Sequence, residues 1–149
     1  MIQTRIELDL SKLDYVRGSG ANKAIRMGFN KAMVPVKEAV IKTAPADKGS
    51  LKKSIKIKVK YYKSSKTWAG IAGPSAKFKR SGGKIKRGKN KGQKRTIRPA
   101  RYAHVVNWGS RKMKGRKFLE ASMSSTKAKF ANDLAEFIKD KLAEQLNKK

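Results

Sequence analysis

The chain opens on strict alternation: Ile2, Thr4, Ile6, Leu8 and Leu10 are separated by Gln3, Arg5, Glu7 and Asp9. A period of two sends the two sets to opposite sides of an extended backbone, which predicts a strand with one wet face. Gly18-Ser19-Gly20 predicts a loop, and Asn22 an N-cap for the helix that follows. In that helix Ile25, Phe29, Met33, Val36 and Val40 recur at steps of three and four and form one apolar stripe. Pro35 lies inside the stripe, where a proline costs ~3 kcal/mol and disfavours helical geometry at the preceding Val34. The stripe stays in phase across Pro35, so one kinked helix is expected rather than two short ones.

Ala44-Pro45-Ala46-Asp47-Lys48-Gly49 ends that helix, and alternation returns. Ile55, Ile57, Val59 and Tyr61 on one side, with Lys56, Lys58 and Lys60 on the other, predict a strand whose outer face is lysine. Thr67–Gly73, containing Trp68 and Ile71, predicts its hairpin partner across Lys63-Ser64-Ser65-Lys66. From Pro74 to Pro99 the pattern fades into Gly, Ser and Lys, with Ile85 and Ile97 the only branched aliphatic residues. That composition predicts a long solvated loop or extended arm. Run out and back as a hairpin, its tip would reach ~40 Å from the body at about 3.3 Å per residue. Tyr102-Ala103-His104-Val105-Val106-Asn107-Trp108-Gly109 predicts a short aromatic and β-branched strand. From Phe118 to about Asn147, Phe130, Leu134, Phe137, Ile138, Leu142 and Leu146 mark the buried side of a last helix. Asp133, Glu136, Asp140 and Glu144 interleave with lysines on its outer face. The expected fold is α+β and one domain over residues 1–149. A small antiparallel sheet packs against a kinked N-terminal helix and a long C-terminal helix, with residues 74–101 as a basic arm.

Composition adds few constraints until charge is considered. At 149 residues and 38% hydrophobic content, the chain is long enough for one modest core. The absence of cysteine excludes disulfides, thiolate zinc sites and thiol catalysis, and fits assembly in a reducing cytoplasm. No signal-like apolar region opens the chain and no window approaches ~18 apolar residues, so a soluble protein without membrane partners is expected.

Charge is distributed very unevenly. Of 39 basic residues, 25 fall between Lys48 and Leu119, a stretch without a single carboxylate. Such a block repels itself unless a polyanion or an acidic protein surface lies against it. Twelve of these cations sit between Lys77 and Arg101. Lys84, Lys86, Arg87, Lys89, Lys91, Lys94, Arg95, Arg98 and Arg101 are placed to contact DNA phosphates by counterion release, or an acidic partner. Few aromatics lie inside the arm, with Phe78 at its start and Tyr102 just beyond its end, so base stacking is not expected, and no DNA- or RNA-reading signature is present. Any nucleic-acid contact should be blind to sequence.

Catalytic chemistry is hard to assemble from this chain. His104 is the only histidine, and a structural or interface role is expected for it. The carboxylates lie toward the termini, and no nucleophile-elbow sequence occurs. Gly82-Gly83-Lys84 and Gly88-Lys89-Asn90-Lys91-Gly92 both lack the Gly-Lys-Ser/Thr ending of a nucleotide-binding loop. The expectation is a protein with no enzymatic activity, no metal and no cofactor.

Three segments carry a family resemblance. Ala44-Pro45-Ala46-Asp47-Lys48-Gly49-Ser50-Leu51-Lys52-Lys53-Ser54-Ile55 resembles the A-P-x-D-x-G-x-L-(R/K)-x-S-I segment of the tail-completion, or head–tail joining, proteins of tailed bacteriophages. Tyr102–Ser110 is similar to that family's Y-A-x-x-V-E-(F/W)-G-T, with Asn107 in place of the acid and Ser110 in place of Thr. Phe118-Leu119-Glu120-Ala121 occupies the place of its P-F-L-x-P-A, with Lys117 for the first proline. Order and approximate spacing agree from about Asn22 to Leu146, and the basic arm is an elaboration between the motifs. The resemblance implies a structural virion protein, made in the host cytoplasm. It would assemble as a ring, a hexamer, in the neck around the DNA channel. Its partners would be copies of itself, other neck, portal-adaptor and tail proteins, and genomic DNA. Pro45, Asp47, Gly49, Leu51, Tyr102, Trp108, Gly109 and Phe118 are the positions it marks for the motif or a subunit interface. Gly49 is free to take positive φ where helix turns into strand. Trp108 beside Gly109 is expected in the core in preference to a subunit contact. The alternative from another class is a ribosomal-type or architectural protein that binds nucleic acid without sequence preference.

Overall fold

A computed structural model describes residues 4–9, 19–46 and 49–146. Strand β1 (Thr4–Asp9) realises the opening alternation, and helix α1 (Ser19–Thr43) follows. A single helical turn, α2 (Ser50–Ser54), then leads into β2 (Ile55–Tyr62), β3 (Thr67–Pro74), β4 (Arg80–Lys84) and β5 (Lys94–Ile97). The chain continues through α3 (Pro99–Trp108), the two-residue strands β6 (Gly109–Ser110) and β7 (Met113–Lys114), and the long α4 (Phe118–Leu146). The fold is α+β, as the periodicities predict.

The body is a three-stranded antiparallel sheet in the order β1-β3-β2, with α1 lying between sheet and α4. Register places Ile55, Ile57, Val59 and Tyr61 opposite Pro74, Ala72, Gly70 and Trp68. This is the side that meets α1, because Trp68 stacks on Phe29 with ring centroids 6.3 Å apart. Phe29 in turn meets Phe130 of α4 edge-on at 5.9 Å. Phe29, Met33, Val36 and Val40 have no exposed surface, so the stripe read from the sequence is the spine of the core. Lys56, Lys58 and Lys60 stay exposed on the opposite side of the sheet.

Gly70 permits the close approach of α1 to the central strand. A β-carbon there would sit 2.9 Å from the Met33 sulfur and 3.3 Å from a Phe29 ring carbon. Gly70→Val is therefore expected to overpack this contact and lower stability by roughly 1–3 kcal/mol, read as a lowered urea midpoint with an unchanged m-value.

Three expectations are corrected. Ser19 and Gly20 belong to α1, not to a loop, and Asn22 lies within the helix rather than at its cap. As expected, the helix passes through Pro35 as one element. The bond proline removes is one to the carbonyl of Lys31, an exposed residue where water can replace it. Between Gly49 and β2 stands α2, so helix does not turn directly into strand, although Gly49 does take φ 64°. Tyr102–Trp108 is helix, not strand. Pro99 opens it after extended Arg98, and its buried positions Pro99, Ala103 and Asn107 are spaced by four. The residues that repeat are small or polar, so hydrophobicity does not mark them. Of the C-terminal stripe, Phe130 and Leu134 are buried and Phe137 and Ile138 half-buried, while the side chains of Leu142 and Leu146 fall outside the described residues.

Candidate polyanion and partner interface

The arm is an antiparallel hairpin. Arg80 pairs with Ile97 and Ser81 with Thr96, and the ladder resumes at Lys84 and Lys94 after a bulge. Gly82 and Gly83 together face Arg95, and Gly83 takes φ 82°, so this glycine pair serves a bulge and not a phosphate loop. Ile97 lies across Gly82, where an added β-carbon would be 2.8 Å from its Cγ1. Beyond the ladder, Ile85 exchanges backbone bonds with Gln93 (2.9 Å) and Gly92 (2.9 Å), and Lys91 donates to the Gly88 carbonyl at 3.0 Å. The tip is thus a closed turn with its own hydrogen bonds. At the base, the Arg80 guanidinium donates to buried Ser50 Oγ at 2.8 Å and ties the hairpin to α2.

The nine cations marked in the sequence divide into two groups. Lys84, Lys86, Arg87, Lys89, Lys91 and Lys94 are exposed along the outer hairpin and its tip. Arg95, Arg98 and Arg101 instead line a cleft of about 570 Å3 at its base. Arg95 also borders a shallower depression with Lys84 and Lys86. Pro45, Gly49, Leu51 and Tyr102, four of the motif positions, line the same cleft, so segments far apart in sequence meet there. Met113 and Arg116, which no sequence pattern singles out, complete its wall from the β6–β7 hairpin. Asp47 lies outside the described residues.

The remaining motif positions form a second cluster where α3 hands the chain to α4. Asn107, fully buried, accepts the Leu119 N–H on Oδ1 at 3.1 Å and donates Nδ2 to the Glu120 carboxylate at 3.0 Å. Its side chain satisfies an orphan donor in the first turn of α4 from a neighbouring helix. Trp108 is 63% exposed, so the core placement expected for it is wrong; its indole N–H donates to Glu120 Oε1 at 2.7 Å. The side chain cannot turn inward because α3 buries Asn107, the adjacent residue, on that side. Gly109 takes φ 92°, and a β-carbon on it would lie 2.6 Å from the Met113 carbonyl oxygen and the Gly115 nitrogen, which makes glycine obligatory here. Phe118 is buried in the core, and its carbonyl oxygen is 3.1 Å from Thr43 Oγ1 at the end of α1. His104 is exposed on α3.

Partial burial acts to raise the Glu120 pKa, but hydrogen bonds from Trp108, its own backbone and Asn107, with the nearby Lys117 charge, outweigh it and hold the carboxyl below its ordinary 4.5. A depressed folded-state pKa contributes stability that is complete above the unfolded value and is lost as pH falls through the folded one. Trp108→Phe should therefore narrow its gap to the parent protein when urea midpoints are compared between pH 6 and pH 3. A gap independent of pH would contradict the assignment.

No group of three or more His, Cys, Asp or Glu side chains suited to a metal occurs among the described residues, and no helix among them is long and apolar enough to cross a membrane. Comparisons with protein families, with curated proteins and with solved structures return no match to this chain.

Proposed function

We propose that this chain is a structural, non-enzymatic virion protein of a tailed phage. It joins or completes the tail at the head–tail neck as an oligomeric ring around the DNA channel, with its basic hairpin turned toward the channel. One observation carries the reading beyond motif order. Pro45, Gly49, Leu51 and Tyr102 share the wall of one cleft, and Asn107 bonds directly to the Leu119–Glu120 turn, so all three motif segments act as joined surfaces. Exposed Trp108, held in place by Glu120, supplies the kind of large aromatic that subunit contacts favour. A heterologous contact repeated between copies closes into a ring when its rotation permits.

The test is the mass of the purified chain over a wide concentration range, with negative-stain microscopy of the largest species. A closed ring of uniform size, six copies of the 16.6 kDa chain, is expected. Trp108→Ala should shift it toward monomer. Assembly unaffected by that substitution would remove Trp108 from the interface.

The second reading, a free-standing nucleic-acid binder, is favoured by one specific feature: the charged residues of the outer hairpin are all cations, and all are exposed. It predicts monomers that bind duplex DNA and lose about 10³–10⁵-fold in affinity between 50 and 200 mM salt if six to ten phosphates are contacted. A ring protein need not bind free DNA tightly.

A further inference from the structure

We infer that the cleft at the hairpin base is a docking site for an acidic peptide of a partner protein, with an apolar side chain on its floor and carboxylates on its arginine rim. Leu51, Ile97, Val106 and Met113 contribute apolar lining. Arg95, Arg98, Arg101 and Arg116 line the cleft with them, and among the described residues no carboxylate does. Among the described residues none of these four guanidinium groups is engaged in an ion pair.

Charge complementarity selects the occupant. Guanidinium forks bind carboxylates in a planar, two-bonded geometry that lysine does not offer, and the charge-assisted bonds are about twice as strong as neutral ones. The rim is all arginine, whereas the exposed tip is mostly lysine, the residue of diffuse phosphate attraction. A phosphodiester backbone has nothing apolar to place against Leu51, Ile97, Val106 and Met113. An acidic peptide with leucine or phenylalanine among its carboxylates satisfies both parts, and about 570 Å3 holds a few residues rather than a whole helix face. The walls come from α2, β5, α3 and the β6–β7 hairpin, and Arg80 bonded to Ser50 keeps the hairpin wall in place. The inference extends the assembly reading by naming what the hairpin base takes. Because peptide binding needs no ring, either can fail alone.

The experiment is fluorescence anisotropy with a fluorescein-labelled Asp-Glu-Leu-Phe-Asp-Glu peptide. It compares the parent chain, Arg98→Gln with Arg101→Gln, and Lys89→Gln with Lys91→Gln, a tip variant of equal charge. The cleft variant is expected to lose about tenfold or more in affinity and the tip variant less than about twofold. On the parent chain, Asp-Glu-Ala-Ala-Asp-Glu should bind about tenfold more weakly, a comparison that needs no folded variant. Equal losses in the two variants, equal binding of the two peptides, or no binding of either would overturn the proposal. Displacement of the peptide by equimolar 12-base-pair duplex DNA would assign the cleft to phosphate. Its loss on ring assembly would assign it to a neighbouring copy. Either result also overturns the acidic-partner proposal.

Discussion

Replacing Asn107 by leucine is expected to destabilise the fold by about 3 kcal/mol, the sum of a lost helix cap and a buried donor left without a partner. The side chain is completely buried yet fully used, with one acceptor on the Leu119 N–H and its donors on Glu120. Leucine fits the volume but leaves the Leu119 N–H unpaired and strips Glu120 of a partner. The effect should extend beyond stability. The same residue anchors the end of α3 to the start of α4, since the Asn107 carbonyl also accepts the Lys117 N–H at 2.8 Å. Loosening that joint should free exposed Trp108 and weaken assembly. Asn107→Asp is the informative partner variant. It keeps the acceptor for Leu119 but sets a second carboxylate against Glu120, so its deficit should be largest near neutral pH and shrink as pH falls and one of the pair takes a proton. Urea midpoints of the three proteins at pH 4.5 and pH 7 check both statements. An Asp variant as stable as the parent at pH 7 would contradict the geometry.

The other large effect belongs to the hairpin. Converting Lys84, Lys86, Arg87, Lys89, Lys91, Lys94 and Arg95 to glutamine removes seven exposed charges from the 12 between Lys77 and Arg101. Each phosphate contact contributes about 0.9 to the salt slope of duplex binding, so a variant that loses most of these contacts should lose most of that slope and several orders of magnitude in affinity at low salt. In a particle, the expected result is failure to retain packaged DNA. The fold should be unaffected, because these side chains leave the core untouched. The backbone bonds of Ile85 with Gln93 and Gly92 persist whatever side chains flank them. Retention of DNA with tails attached would show that the outer hairpin serves neither DNA nor an acidic surface.

How much of this was legible in the sequence follows from where hydrophobicity carries the pattern. The stripe from Phe29 to Val40, the alternation from Ile55 to Tyr61 and the face through Phe130 and Leu134 announce α1, β2 and α4, because large apolar residues recur at the period of the element. Helix α3 stayed hidden for the opposite reason. Its buried positions are Pro99, Ala103 and Asn107, while Val105, Val106 and Trp108 lie partly or largely outside and imitate a strand. Pro99 following a cationic, turn-rich stretch was the one available signal. The hairpin strands β4 and β5 were invisible to periodicity, since their order comes from backbone bonds and a Gly82-Gly83 bulge rather than from burial. The division of the arm into an exposed lysine-rich tip and an arginine-rimmed cleft, with Met113 and Arg116 brought in from another hairpin, is tertiary and has no linear counterpart. The pairing of Trp108 and Asn107 with Glu120 likewise joins two motifs whose proximity sequence order alone does not reveal.

The central claim, that the chain joins head to tail, meets its most direct test in electron microscopy of particles made by a phage whose copy of this sequence is interrupted early. The account predicts DNA-filled or leaking heads and finished tails that remain separate, with joining restored when the purified full chain is added back. Complete, joined particles in its absence would contradict it.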